Sequence, residues 1–139
     1  MIHSTRAIAA AAMLAVAGAA APAFPQGQAE QFTPEFRGVH TTFDEKHTPR
    51  IEAPASVKRG EWFDVTVTVP HPSLAEHFVR SVALFKDAVE ISRVYLHPVF
   101  SQPRVRFTIA LDEGGMLRAL AEPTHSAAWE GSRPIKVER

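Results

Sequence analysis

The stretch EWFDVTVTV (residues 61–69) alternates between apolar and polar side chains. Its apolar positions are Phe63, Val65, Val67 and Val69, and its polar positions are Asp64, Thr66 and Thr68. Successive side chains of a β-strand point to opposite faces, so this period of two places all the apolar residues on one face. The stretch therefore predicts a strand that buries one face against a core and exposes the other.

Similar short segments recur along the chain, and KDA (86–88) between two of them predicts a hairpin turn. The other predicted strands lie in RIEAPASVK (50–58), FVRSVALF (78–85), VEISRVYL (89–96), RVRFTIAL (104–111), GGMLRALAE (114–122) and RPIKVE (133–138). Seven or so short strands separated by turns indicate an all-β fold, a seven-stranded immunoglobulin-like antiparallel β-sandwich.

The first 23 residues, MIHSTRAIAAAAMLAVAGAAAPA, have the composition of a secretory signal peptide. Arg6 precedes a long apolar run, and Ala21-Pro22-Ala23 fits the small-residue cleavage pattern. The alternative is a membrane anchor, but the run is mostly alanine and too weakly apolar to hold a helix in a bilayer. We therefore expect export to the periplasm or secretion, with no membrane attachment after cleavage.

Beyond the expected signal peptide we expect an N-terminal arm or linker at residues 24–44 and one domain at 45–139. Removing residues 1–23 changes the formal net charge from 0 to −1, because Arg6 is the one charged residue lost. Such a charge gives no basic surface for nucleic acid. The chain has no cysteine, so a metal site would be built mainly from nitrogen and oxygen ligands.

The stretch VPHPSLAEHF (residues 69–78) contains two histidines, His71 and His77, on either side of a predicted bend. Six positions do not bring two side chains together on a helix, and along a straight strand they span about 20 Å. With His47 and His125, four histidines lie at strand edges or in loops, and loops at one end of a sandwich converge. Imidazole is the commonest metal ligand, so the four could bind one metal; the alternative is four solvated loop histidines.

Three stretches resemble the catalytic iron domain of the superoxide reductases, which are neelaredoxin and the C-terminal domain of desulfoferrodoxin. They are EKHTPRIEAPASVKRGEWFDVTVTV (45–69), HPSLAEHFVRSVALF (71–85) and HSAAWE (125–130). The resemblance implies the sandwich fold and one mononuclear non-haem Fe(2+) ion. It also implies that His47, His71, His77 and His125 bind that iron in one plane.

Two neighbouring charges also match the family. The resemblance implies that Glu45 can occupy the sixth position of the oxidised iron, and that Lys46 attracts superoxide and supports proton delivery. The alternative for both residues is an ordinary solvated ion pair. His40 and His97 match no ligand position, so we expect them to be surface histidines.

One position departs from the family. Its members have a cysteine three residues before the last histidine, in a C-N-x-H-G motif, and the thiolate is the axial ligand. The corresponding residues here are Glu122-Pro123-Thr124-His125-Ser126. We expect Glu122 either to bind the metal through oxygen or to point away from it.

Three functions remain open from the sequence. The first is an exported enzyme that reduces superoxide, or acts on another small anion, with an external electron donor. The second is a periplasmic metal-binding protein without that turnover, which holds iron or Cu(2+), a metal suited to four imidazoles. The third is a partner-binding sandwich, because YLHPVFSQPRVRFTIAL (95–111) is faintly similar to sulfur-oxidation carrier subunits. Superoxide reductases are often dimers or tetramers, so the resemblance leaves a homo-oligomer open.

Overall fold

The computed structural model describes residues 38–139, and these residues form β-strands without any helix. The strands are β1 (Val39–His40), β2 (Arg50–Glu52), β3 (Ser56–Lys58), β4 (Phe63–Thr68), β5 (Val79–Lys86), β6 (Val89–Tyr95), β7 (Arg104–Ile109), β8 (Gly115–Pro123) and β9 (Ala128–Glu138). In residues 38–139 no helix is present that could cross a membrane. The predicted signal peptide lies outside the described residues.

The strands form two sheets. The larger has the order β1-β9-β8-β5-β6, with β3 also paired to β9, and the smaller has the order β2-β4-β7. The predicted all-β class is confirmed. The described chain has nine strands rather than seven, and β1 and β3 pair with β9 in parallel. These two strands are two and three residues long, too short for an alternating pattern to reveal them.

The core lies between the two sheets, where the predicted apolar faces meet. Val65 and Val67 of β4 are fully buried, and from the larger sheet Val82, Leu84 and Leu117 are fully buried opposite them. Burying one such side chain contributes about 1.5–3 kcal/mol, so the alternation of these strands largely determines the fold.

The hairpin predicted around KDA is present. Lys86 pairs with Val89, which leaves Asp87 and Ala88 as a two-residue turn. Asp87 has a φ of 52°, a conformation that aspartate adopts more readily than most residues. The β5–β6 connection is therefore a tight turn, as the sequence indicates.

At the end of the sandwich away from this hairpin, three connections converge. Residues 44–49 lead into β2, residues 69–78 join β4 to β5, and residues 124–127 join β8 to β9. The pairing of Arg50 with Thr68 and of Val79 with Pro123 places these connections at the same end. The expected arm at residues 24–44 lies mostly outside the described residues, but its Val39–His40 forms β1 beside the start of β9.

Candidate metal centre

The turn before β2 carries His47 and is held together by Asp44. The Oδ1 atom of Asp44 accepts hydrogen bonds from the backbone N–H groups of Lys46 at 2.9 Å and His47 at 3.0 Å. The backbone N–H of Asp44 donates to Thr48 Oγ1 at 2.8 Å, and the Thr48 N–H donates back to the Asp44 carbonyl at 3.0 Å. Aspartate favours such turns because its short side chain bonds to the backbone that follows it.

Asp44 also orients the His47 ring. The Nδ1–H of His47 donates to Asp44 Oδ1 at 2.7 Å, and this hydrogen bond lowers the pKa of the Asp44 carboxyl. The bond places the ring proton on Nδ1, so the Nε2 atom, which lies 3.1 Å from His125 Nε2, carries the lone pair that a metal would bind, an arrangement common among metal-ligating histidines. Asp44 was not among the predicted site residues. The signal available was an aspartate three residues before a predicted ligand, at a position that favours a turn.

His71 is the buried member of the cluster. Its backbone N–H donates to the Val69 carbonyl at 2.8 Å, and its Nδ1–H donates to the Pro72 carbonyl at 2.8 Å. The residue is 8% exposed, and its buried Nε2 atom has no hydrogen-bond partner. An unsatisfied buried polar atom costs about 1–3 kcal/mol, and a metal ion would remove that cost.

A tight turn brings His77 back to His71. The backbone groups of Leu74 and His77 bond to each other in both directions, at 3.1 and 3.2 Å. The ring centroids of His71 and His77 are 4.6 Å apart, and those of His77 and His125 are 4.3 Å apart. The bend thus brings together two histidines that a straight strand would hold about 20 Å apart.

Three of the predicted ligands lie close enough to share one ion. One nitrogen each of His47, His71 and His125 lies within 4.8 Å of the others. The Nε2 atoms of His47 and His125 are 3.1 Å apart, close enough either to share a hydrogen bond or to bind one metal ion together. The residues present therefore fit a metal ion with nitrogen ligands.

Burial favours the form of these imidazoles that binds metals. The pKa of His71 is lowered, chiefly by desolvation and further by His77 and His47, although the bond to Pro72 opposes the shift. The pKa of His125 is lowered by desolvation and by its three histidine neighbours. Neutral imidazole is the form that binds metals, so these lowered pKa values favour metal binding at neutral pH.

Glu45 and Lys46 lie on the same turn as His47, and both side chains are exposed. Their backbone is fixed by Asp44, so the turn that presents a predicted ligand also presents both charges beside it. The positive charge of Lys46 is therefore accessible to solvent.

Glu122 lies on the opposite face of the larger sheet from the histidines. Ala121 pairs with Trp129, whose indole stacks on His47, so the face of Ala121 is the face of the site. The next residue, Glu122, points the other way. Its Oε2 atom accepts hydrogen bonds from the Ser81 hydroxyl and from Arg93 Nη1, the latter at 2.9 Å. The structure thus does not bring Glu122 into the histidine cluster.

The other two histidines of the described chain lie outside that cluster. His40 is exposed and stacks on Trp129, with ring centroids 4.3 Å apart. His97 donates its Nδ1–H to the Pro98 carbonyl at 2.7 Å, the same local bond that His71 makes to its own proline. A His-Pro pair is therefore not sufficient for membership of the site.

The chain is similar to proteins of a known family. The sequence profile of the family Desulfoferrodoxin matches residues 39–132. The solved structure of a superoxide reductase (neelaredoxin) from Ignicoccus hospitalis is 38% identical, with a TM-score of 0.63, and the match covers 66% of this chain and 81% of that one. A protein assigned as a superoxide reductase in Thermotoga maritima is 31% identical, over 68% of this chain and 88% of the relative.

A more distant structure shares the fold. The sulfur carrier protein SoxY from Chlorobium limicola is 16% identical with a TM-score of 0.58, over 73% of this chain and 84% of that one. At this identity the likeness concerns the fold alone. The family profile, in contrast, spans more than half of the chain, and a relative above 30% identity covers more than two thirds of it. The chain therefore belongs to the desulfoferrodoxin family of superoxide reductase-like proteins.

Proposed function

We propose that this protein is an exported mononuclear non-haem iron protein that reduces superoxide to hydrogen peroxide. Its proposed ligands are His47, His71, His77 and His125. The observation that carries the proposal is that one ring nitrogen of the buried His71 lies within 4.8 Å of ligand nitrogens of two other histidines, while its Nε2 atom has no hydrogen-bond partner. Family membership supplies the choice of iron and superoxide.

The reaction adds one electron and two protons to superoxide. Ferrous iron held by these histidines would supply the electron, and an external donor would return it. Asp44 keeps His47 in the tautomer that offers Nε2, and the Pro72 carbonyl does the same for His71. Lys46 attracts the anion and supports proton delivery, and Glu45 is the proposed ligand of the oxidised metal.

Glu122 is the position at which this chain departs from its family. The contacts of its carboxylate with Arg93 and Ser81 support the second of its two expected roles, in which it points away from the metal. We therefore propose a centre that would contain imidazole ligands and no sulfur ligand. A thiolate donates more electron density than nitrogen or oxygen, so turnover should be slower than in relatives that carry the cysteine.

The placement of Glu122 also favours a second candidate, a periplasmic metal-binding protein without superoxide turnover. Imidazoles without a thiolate ligand would suit Cu(2+), which has the highest affinity among divalent first-row metals. In either function, residues 1–23 are the proposed signal peptide that directs export of the chain. We propose no nucleic-acid partner and no membrane attachment of the mature protein. A homo-oligomer is compatible with both functions.

Metal analysis and kinetics on protein purified from the periplasm distinguish these candidates. One iron per chain, together with rapid reduction of superoxide by the ferrous protein in stopped-flow measurements, is expected for the enzyme. If the protein instead contains one copper per chain, and its iron-loaded form does not reduce superoxide, the second candidate replaces the enzyme. Protein without bound metal, and unable to take it up, would contradict both.

A further inference from the structure

Trp129 lies between two histidine side chains at the start of β9. Its indole stacks on the ring of His47, with centroids 5.0 Å apart and planes 19° from parallel. It also stacks on the ring of His40, at 4.3 Å and 25°. The orientation of the His47 ring is therefore restricted by a large aromatic surface as well as by its bond to Asp44.

Trp129 also contacts the turn that carries His125. Its Nε1–H donates to Ser126 Oγ at 3.1 Å, and that hydroxyl donates to the Ala127 carbonyl at 3.0 Å. Ser126 directly follows His125 in the chain. One side chain thus contacts the ring of one predicted ligand and the residue next to another.

Strand β9 supports the His47 turn at a second point, Gly131. A Cβ atom at this buried position would lie 2.0 Å from the Pro49 carbonyl oxygen. Only glycine allows the Pro49 backbone to approach the strand so closely. Pro49 is two residues after His47, so the turn rests on the strand that also presents Trp129.

We propose that Trp129 is a positioning residue of the metal centre, which sets the separation of the His47 and His125 nitrogens. The inference rests on the metal site of the proposed function. These two nitrogens belong to turns that are 78 residues apart in sequence, yet their Nε2 atoms lie 3.1 Å from each other. Trp129 contacts both turns, so losing it frees each of them to move relative to the other.

The test measures Co(2+) affinity by titration of the metal-free full-length mature protein. Trp129→Phe retains an aromatic ring against His47 and removes the bond to Ser126, and Ser126→Ala removes the same bond from the other side. Residues that orient a ligand commonly change metal affinity by about 10–100-fold, so we expect about a tenfold loss for each. The double variant should lose no more than Trp129→Phe alone, because both changes remove one bond.

Trp129→Ala removes the stacking as well, and we expect a loss of about 100-fold with an altered Co(2+) absorption spectrum. The matched control is Trp62→Phe, since Trp62 is 75% exposed and lies near the β5–β6 hairpin, away from the histidines. Its affinity should equal that of the wild type.

Two results would overturn the inference while leaving the metal site intact. One is a Trp129→Ala protein with reduced melting temperature but wild-type Co(2+) affinity and spectrum, which would give Trp129 a structural role only. The other is wild-type affinity in Ser126→Ala, which removes one half-buried hydroxyl and should not prevent folding. A wild-type protein that binds no Co(2+) would instead overturn the proposed function and this inference together.

Discussion

Replacing Glu122 with glutamine tests whether its carboxylate binds the metal or stabilises the sheet. Glu122→Gln keeps the side-chain shape and removes the charge. The carboxylate accepts a hydrogen bond from Arg93 at 2.9 Å and another from the fully buried Ser81. The side chains of Glu122 and Arg93 are 26% and 21% exposed, so solvent screens their interaction only in part.

The expected decrease in the free energy of unfolding lies between two known limits. A hydrogen bond to a charged group contributes about 1.5–3 kcal/mol, and an exposed ion pair about 0–1 kcal/mol. For this half-buried pair we expect Glu122→Gln to lower the free energy of unfolding by about 1–2 kcal/mol. In a domain of about 100 residues that is a fall of roughly 4–16 °C in melting temperature, measurable by calorimetry of the metal-free protein.

Metal affinity should remain within about twofold of the wild type, because the carboxylate faces away from the histidines. Arg93→Gln removes the other half of the pair, and the double variant should lose less than the sum of the two single losses. Glu130→Gln is a matched control because it removes the charge from a second arginine–glutamate pair, that of Arg118 and Glu130, on the same face of the sheet. A Glu122→Gln protein with unchanged melting temperature and a tenfold or greater loss of metal affinity would refute this reasoning.

The same structure leads to four other predictions. His71→Ala should lower metal affinity at least tenfold in a calorimetric titration. His97→Ala, which removes a similar His-Pro bond outside the cluster, should not lower it. Equal effects would contradict the assignment of His71 as a metal ligand. Asp44→Asn should lower affinity about tenfold with an unchanged circular dichroism spectrum, and wild-type affinity would deny it an orienting role. Glu122→Cys should give no sulfur-to-iron charge-transfer band in the oxidised protein, and a band would mean that this side chain reaches the metal. Gly131→Ala should lower the free energy of unfolding by about 1–3 kcal/mol in chemical denaturation, and an unchanged midpoint would contradict the close approach of the His47 turn to β9.

Much of the fold was predictable because its main strands bury one face. In β4 the alternation from Phe63 to Thr68 marks that face directly, and Val65 and Val67 are fully buried as expected. The start of β9 was less visible, whereas its end at Glu138 was predicted. RPIKVE covers only its second half, because Gly131 and the residues before it do not alternate. The parallel pairings of β1 and β3 depend on contacts distant in sequence, which local patterns do not encode.

The site was predictable only in part. The positions of the histidines followed from their resemblance to a known family, and the structure brings His47, His71 and His125 together. Asp44 was missed because a single loop aspartate has many possible roles. The direction of Glu122 depends on register, since its neighbour Ala121 faces Trp129, and spacing to His125 alone does not reveal it.

X-ray absorption at the iron edge of the Fe(2+)-loaded protein tests the central claim most directly, because it counts the atoms bound to the metal. The account predicts about four imidazole nitrogens at roughly 2.0–2.2 Å, and no sulfur. The same measurement on His71→Ala should show one imidazole fewer or no ordered site. Two or fewer imidazoles in the wild-type protein would contradict the proposed site at His47, His71, His77 and His125.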